Sequence, residues 1–262
     1  MIPAEFDYVA PATVEEVVRA LTEAGEDAKV MAGGQSLIPV LRMRLAAPNV
    51  VVDLSNLSEL TGVRDDGDSL LIGAMTTHYE VQRDHLVRDH ARLLAVATDT
   101  VADPQVRHRG TFGGALVHAD PAGDLPAPAL AMDATMVIVG PGGRREVPAR
   151  EFFVDYFTTV LEPDELLVDV RVPKLTGWSA HYEKFNRVAQ AWSIVAVAAA
   201  VRVTDGTIAE ARVALTAESI NAAAARAAEG TNPTTDGNAD AEFRSHLARV
   251  LTGRALTAAV GA

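Results

Sequence analysis

The chain has no cysteine among its 262 residues. This absence excludes disulfides, thiolate zinc sites, a cysteine nucleophile and any iron–sulfur cluster ligated by this chain itself. Basic residues are also scarce, since 23 Lys and Arg stand against 35 Asp and Glu, which gives a net charge of −12. A chain this acidic disfavours nucleic acid or an anionic membrane surface as a partner. Any anionic ligand must therefore be held by local donors.

Long apolar runs are missing as well. The longest one covers residues 194–201, which is eight residues, whereas a membrane-spanning helix needs about 20. Residues 1–7 carry neither the basic nor the apolar region of a signal peptide. We therefore expect a cytoplasmic protein with no transmembrane segment, whose membrane contacts, if it makes any, are peripheral.

The overall composition is that of a globular protein, with 48% apolar and 22% charged residues. At roughly 100–200 residues per domain, this length indicates one large domain or two closely joined ones. Apolar periodicity and turn residues predict a mixture of helices and strands. The predicted helices lie after Thr13 up to Gly25, over a turn at 37–45, after Thr77, at 90–101, at 222–228 and around Leu247. The predicted strands are 28–31, 50–52, 70–73, 134–139, 144–147, 166–172, 179–185, 194–203 and 207–215.

Three segments are predicted to lack regular structure. They are a long loop at 102–125, a linker at 174–177 and a polar loop at 231–240. The opening of the chain is β-α-β in character, and the chain as a whole belongs to the α+β class with two or three subdomains. Loops as long as 102–125 usually carry function.

The first glycine-rich loop is Ala32-Gly33-Gly34-Gln35-Ser36, which leads from a predicted strand into a helical turn. Paired glycines let the backbone approach a ligand closely, and free amides at a helix start can bind phosphate. An ordinary strand-to-helix turn explains the same residues. The G-x-G-x-x-G fingerprint is absent, so a Rossmann NAD site is not supported, and no closing glycine makes a nucleophile elbow.

The second glycine-rich loop covers residues 109–115 and continues through an acid- and proline-rich stretch at 118–126. The Thr111 hydroxyl and the amides of Gly113 and Gly114 are candidates for a second phosphate site, and Asp124 could accept a hydrogen bond from a ribose hydroxyl or a ring N–H. The alternative is a surface loop with solvated acids. Two such loops about 80 residues apart favour one diphosphate held from two sides, in a dinucleotide-type cofactor outside a Rossmann frame.

The histidines and aromatic residues are less informative. None of the seven histidines has a recognised metal-ligand spacing, so we predict no metal site. His118 is the only histidine expected near the glycine loops. Tyr182 and Trp192 are either core aromatics or residues that flank a planar ring. No residue stands out as an acid–base catalyst.

At the two glycine loops the chain resembles the FAD-binding medium subunits of molybdenum hydroxylases, the family of the carbon monoxide dehydrogenase medium chain and the xanthine dehydrogenase FAD domain. The segments 32–39, 109–114, 118–126 and 161–167 carry the resemblance, which extends over nearly the whole chain. In this family both glycine loops wrap the FAD diphosphate. Ala115 replaces an asparagine that is common in the family, so a side-chain role there is not expected.

The resemblance implies a set of cofactor-binding residues, no catalytic residue and no metal ligand. It implies a leucine against the flavin, a lysine near the ring edge and an aspartate after the second loop. The implied FAD contacts are Ala32, Gly33, Gly34, Gln35, Ser36, Leu37, Val101, Thr111, Gly113, Gly114, Ala115, Asp124, Leu167 and Lys184.

The implied fold is a vanillyl-alcohol-oxidase-type (PCMH-type) FAD-binding domain over residues 1–175, made of two α/β subdomains at about 1–55 and 56–175. A small α+β domain of the CO dehydrogenase flavoprotein type follows at 177–262. The implied function is electron transfer from a [2Fe-2S] small subunit to an external acceptor, in a complex with a molybdopterin large subunit, as a dimer of heterotrimers that could lie at the inner membrane face. The alternatives are a self-contained FAD oxidoreductase of the same fold and a non-catalytic nucleotide-binding assembly protein.

Overall fold

The computed structural model describes residues 2–216 and 235–261. Within them the strands are β1 Asp7–Val9, β2 Ala28–Met31, β3 Val50–Asp53, β4 Val63–Asp66, β5 Ser69–Gly73, β6 Thr135–Gly140, β7 Gly143–Pro148, β8 Phe153–Asp155, β9 Thr158–Thr159, β10 Leu166–Pro173, β11 Ser179–Phe185, β12 Val195–Thr204 and β13 Thr207–Thr216. The α-helices are α1 Val14–Ala24, α2 Leu37–Arg42, α3 His78–Arg83, α4 His85–His90, α5 Arg92–Asp99, α6 Pro104–Arg107, α7 Phe112–His118, α8 Pro126–Ala131, α9 Ala149–Phe152 and α10 Ala241–Val260.

Three sheets organise the described chain, together with a small β8–β9 hairpin. The first is parallel, in the order β1-β3-β2. The second is antiparallel, in the order β4-β5-β10-β6-β7, and the third is the antiparallel sheet β11-β12-β13. This mixed helix and strand content confirms the α+β class.

Strand β10 lies between two hydrophobic cores because its side chains alternate between the faces of the central sheet. Leu166 and Val168 pack toward α1 and the first sheet, whereas Leu167 and Val170 pack toward the helices α3 to α8. A bulge between Leu167 and Asp169 shifts the register at this point. The bulge lets Val170 share the helical face with Leu167, although the two residues are three positions apart.

Strand β12 is apolar from Val195 to Val201 because this part of the strand is buried on both faces. Ala196, Ala198 and Ala200 pack against the core of the central sheet, and Val197 and Ala199 pack under α10. The turn that follows has positive φ at Asp205 (52°) and Gly206 (72°), as in the two-residue hairpin turns that Asp-Gly favours. The apolar run at 194–201 is therefore a core strand.

Most helices and strands lie where the caps, turns and apolar periodicity of the sequence predict them. Thr13 caps α1 by accepting a hydrogen bond from the Glu16 amide at 3.2 Å, and Gly25 ends the helix with φ 59°. The predicted strand at 179–185 is β11, with the same bounds. The helix predicted at 222–228 and residues 231–234 of the loop predicted at 231–240 lie outside the described residues. Residues 235–240 of that loop contain no helix or strand, as predicted.

The middle of the chain differs from the prediction in two ways. The helix predicted at about 90–101 is α5, Arg92–Asp99, but the sequence does not predict the preceding helix α4; Ala91 separates the two with φ −132° and ψ 43°. The loop predicted at 102–125 contains α6, capped by Asp103, and α7, capped by Thr111. Glycine has low helix propensity, so the glycine pair concealed α7 in the sequence, whereas tertiary packing stabilises it.

None of the described helices is both long and apolar enough to cross a bilayer.

Candidate functional site

The first glycine loop joins β2 to α2 and lies against the backbone of the second. A Cβ placed on Gly33 would stand 2.1 Å from the Arg109 carbonyl oxygen and 2.8 Å from the Gly110 Cα. Gly34 has φ +71°, a conformation that glycine adopts without strain. Ser36 precedes α2 without a side-chain capping bond. The loop therefore needs glycine at 33 for backbone contact between the two loops and at 34 for its turn.

The second glycine loop leads into α7, and its Gly113 and Gly114 lie in the first turn of that helix. The Gly114 amide donates to Thr111 Oγ1 at 3.1 Å, and the Gly113 amide donates to the Ala74 carbonyl at 2.9 Å. A Cβ on Gly113 would meet Ala74 Cβ at 2.5 Å. The hypothesis that these two amides are open phosphate donors is therefore not met, because both already donate within the protein.

The two loops line one cavity of about 950 Å³. Ligand pockets range from roughly 300 to 1,000 Å³, so this one is large enough for an extended cofactor. Leu167 of β10 lines its interior, and Trp192 also lines it while remaining 57% exposed. Of the residues implied by the resemblance, all but Lys184 line the cavity: Ala32, Gly33, Gly34, Gln35, Ser36, Leu37, Val101, Thr111, Gly113, Gly114, Ala115, Asp124 and Leu167.

Lys184 lies behind the cavity wall and pairs with Asp124. Its Nζ is 2.9 Å from Asp124 Oδ2 and donates to the Thr100 carbonyl at 3.2 Å. The Tyr182 hydroxyl donates to Asp124 Oδ1 at 2.8 Å. Burial raises the pKa of the Asp124 carboxyl above its usual value, and Lys184 and Tyr182 oppose that rise. Burial, together with the adjacent Asp124, raises the pKa of Tyr182 well above its usual value.

Comparison with known proteins decides the family. Residues 4–175 match the FAD binding domain in molybdopterin dehydrogenase, and residues 214–259 match the CO dehydrogenase flavoprotein C-terminal domain. The chain belongs to this flavoprotein family. FAD is accordingly its cofactor, and the chain is the flavoprotein component of an oxidoreductase.

Individual relatives of this flavoprotein match over almost their whole length. It is 38% identical to the carbon monoxide dehydrogenase medium chain of Hydrogenophaga pseudoflava, over 99% of this chain and 98% of that one. It is 33% identical to the 6-hydroxypseudooxynicotine dehydrogenase complex subunit alpha of Paenarthrobacter nicotinovorans, over 99% and 96%. The solved structure of quinoline 2-oxidoreductase from Pseudomonas putida 86 gives a TM-score of 0.92 at 31% identity, over 100% and 99%. The resemblance noted in the sequence and the expected PCMH-type fold are thus confirmed.

The cavity of this flavoprotein fits FAD in size and in the character of its walls. Gly33 leaves no side chain between the first loop and the second, so backbone forms the surface there. Ser36 presents a hydroxyl that makes no capping bond to α2. Leu167 and Val101 give an apolar wall elsewhere, as a flat aromatic ring system requires.

Sequence reasoning missed His78. It also lines the cavity, so the expectation that His118 is the only histidine near the loops is wrong. The His78 ring lies 2.8 Å from where a Cβ on Gly110 would stand. Its Nδ1 is buried without a hydrogen-bond partner among the described residues, and burial, with a further contribution from Arg107, lowers the pKa of His78 to about 4. No local sequence signal reveals this, because Thr77 and Glu80 mark the start of a helix but not what it packs against.

Proposed function

We propose that this flavoprotein transfers electrons within a molybdenum hydroxylase, taking them from a [2Fe-2S] small subunit and passing them to an external acceptor. The observation that carries the proposal is the cavity of about 950 Å³ that both glycine loops line. FAD bound there would supply exchange between one-electron and two-electron transfer. The protein would hold the FAD in position and set the electrostatic environment of its ring system.

Within the cavity, we assign the diphosphate to the segments 32–36 and 111–115. Both segments line the cavity. Because the Gly113 and Gly114 amides already donate within the protein, the Thr111 hydroxyl would be the donor from the second segment.

Leu167 and Val101 would contact the flavin, with Gln35 of the first loop and Leu37, which follows that loop, also beside the cofactor. Asp124, which lines the cavity, would contact the cofactor directly. Lys184 does not line the cavity, so it would influence the cofactor only through its ion pair with Asp124.

The partners follow from the relatives, which bear names such as medium chain and complex subunit. We propose that a small [2Fe-2S] subunit and a large molybdopterin subunit complete a heterotrimer and that two heterotrimers pair. The relatives are named for different compounds, namely carbon monoxide and 6-hydroxypseudooxynicotine, and a solved relative is named for quinoline. Medium chains so similar in sequence and fold support placing substrate choice in the large subunit.

The chain would divide into a FAD-binding domain at 1–175 and a C-terminal domain at 177–262. The first and second sheets lie in the former range and the third sheet lies in the latter, which supports this division. We place the complex in the cytoplasm, with any membrane contact made at the inner face through the assembled subunits.

The test is to express the chain with an affinity tag, alone and together with its neighbouring genes. We expect the isolated chain to bind one FAD, measured by absorbance and by a fluorescence titration. We expect co-expression to recover a complex with a cysteine-rich small subunit and a large molybdopterin subunit, measured by native mass spectrometry.

Two outcomes would contradict the proposal. A catalytically complete flavoenzyme from this chain alone would favour a self-contained oxidoreductase. Protein that takes up no FAD, alone or in the complex, would favour a non-catalytic assembly role.

A further inference from the structure

Strand β11 of the C-terminal sheet directs two side chains at one carboxylate. Tyr182 and Lys184 are two residues apart and so point to the same face of the strand. The Tyr182 hydroxyl donates to one oxygen of Asp124 at 2.8 Å, and Lys184 Nζ donates to the other at 2.9 Å. All three side chains are buried, with the Lys184 and Asp124 side chains only 7% and 4% exposed.

The same part of the C-terminal domain holds the cavity wall at two more points. Lys184 Nζ also donates to the Thr100 carbonyl at 3.2 Å, next to the cavity-lining Val101. The buried Ser193 hydroxyl donates to the Ala122 carbonyl at 2.9 Å, next to the cavity-lining Gly123. Two segments of the wall, around residue 100 and at 122–124, are therefore tied to the C-terminal domain by directed hydrogen bonds.

Asp124 depends on these partners because its own loop provides little support. The segment 119–125 contains no helix or strand, and the nearby Asp120 raises the pKa of Asp124 further by charge repulsion. A buried carboxylate that loses a donor becomes harder to ionise and less fixed in orientation. A wall carboxylate that both ionises and keeps one orientation thus requires donors from outside its loop.

We propose that Tyr182 is a positioning residue for FAD, which orients Asp124 so that the C-terminal domain sets the affinity of a cofactor bound mainly by the N-terminal domain. This inference rests on the proposed placement of FAD in the cavity. Tyr182 acts through Asp124 and lies in the core, not among the cavity-lining residues.

The test is Tyr182→Phe, with FAD affinity measured by fluorescence titration of the apo-protein. Loss of a hydrogen bond to a charged group predicts a Kd for FAD about tenfold weaker. The matched control is Tyr8→Phe, because the Tyr8 hydroxyl donates to Asp53 Oδ2 at 2.6 Å in the first sheet and neither residue lines the cavity. We expect the control to leave the Kd unchanged.

A pH series separates positioning from general stability. The charged and titratable groups that face Asp124 are Lys184 and Tyr182 from β11 and Asp120 from its own loop, with His118 3.9 Å from Asp120. Without the Tyr182 hydroxyl, Asp124 takes up a proton at a higher pH than in the wild type. FAD binding should then weaken with acid at a higher pH in Tyr182→Phe than in the wild type or in Tyr8→Phe.

A double variant shows whether Tyr182 acts through Asp124. If it does, Asp124→Asn and Asp124→Asn/Tyr182→Phe should bind FAD with the same Kd. Fold-changes that simply multiply would overturn the proposal, as would a Tyr182→Phe protein with wild-type Kd and pH profile. Wild-type protein that binds no FAD would instead refute the proposed function.

Should Tyr182→Phe fail to fold, Ser193→Ala tests whether the C-terminal domain sets FAD affinity, without changing a buried aromatic ring. It removes the bond to the Ala122 carbonyl, and we expect a Kd several-fold weaker. A wild-type Kd in that variant would overturn the idea that the C-terminal domain sets FAD affinity.

Discussion

The two glycine loops look alike in sequence but use their glycines differently. In the first, Gly33 allows the backbone of the other loop to approach, since a Cβ would stand 2.1 Å from the Arg109 carbonyl oxygen. In the second, Gly113 and Gly114 lie inside α7, where they allow contact with Ala74 and with Thr111. Glycines that the sequence assigns to ligand approach thus also serve contacts of the protein with itself.

The loops differ as well in what they offer a ligand. The Gly113 and Gly114 amides already donate within the protein, whereas Ser36 of the first loop makes no capping bond. The second loop therefore contributes mainly a helix start whose amides are already used, and the first loop contributes a hydroxyl that makes no capping bond. Substitutions in the two loops should separate these roles.

The largest effect is expected from Gly33→Ala in the first loop. The added Cβ meets a backbone oxygen that cannot move aside without separating the loops. We expect FAD affinity to fall by about 100-fold, equivalent to about 2.7 kcal/mol, measured by fluorescence titration. The control is Gly142→Ala, where a Cβ would meet nothing within 4 Å. Equal FAD affinity in both variants would contradict contact between the loops.

The next largest effect is expected when acid lowers the stability of the protein through His78, whose ring packs against Gly110 of the second loop. Burial lowers the pKa of His78 to about 4, so between that value and about 6.5 the unfolded chain binds a proton that the folded protein does not. Stability is therefore lost as the pH falls through this window, by about 2 kcal/mol at pH 5. In a protein of this size that lowers Tm by roughly 4–8 °C.

The measurement is the Tm from thermal melts at several pH values between about pH 7.5 and pH 5, a range in which His78 becomes protonated in the unfolded chain but not in the folded protein. His78→Gln should lose less Tm on acidification than the wild type. His85→Gln, a change of an exposed histidine on α4, should keep the wild-type response. Identical pH responses in His78→Gln and wild type would exclude His78 as the source.

A smaller effect is expected from Thr111→Ala, which removes the cap of α7. Loss of an N-cap costs about 1 kcal/mol, or roughly 2–4 °C in Tm. Thr13→Ala removes the equivalent cap of α1 and should lower Tm by a similar amount. Only Thr111→Ala should also weaken FAD binding, because Thr111 lines the cavity and Thr13 does not. Parallel losses of FAD affinity in both variants would show that stability alone is responsible.

The smallest effect is expected from Gln35→Ala in the first loop. The Gln35 side chain is exposed, and its Nε2 donates to the Gly33 carbonyl of the same loop at 3.1 Å. We expect stability to change by less than about 0.5 kcal/mol, with FAD affinity within about twofold by titration. A loss as large as that of Gly33→Ala would assign the main ligand contact to the side chain and not to the backbone.

The sequence by itself determined the elements whose signals are local. Helix α1 begins after Thr13 and ends at Gly25, Asp205-Gly206 forms the turn between β12 and β13, and the apolar run at 194–201 is a buried strand. Caps and turns depend on residues within a few positions of each other, so the sequence contains the whole of their cause. The glycine motifs likewise led to the family, because the residues that carry the resemblance are contiguous.

Tertiary structure alone decided how the site is assembled. Stabilisation of α7 comes from packing of Gly113 on Ala74, and the placement of His78 beside Gly110 comes from packing of α3 on the second loop. The pairing of Asp124 with Tyr182 and Lys184 joins residues 58 and 60 positions apart. Such contacts depend on which faces are buried together, and burial is a property of the folded chain that no local pattern contains.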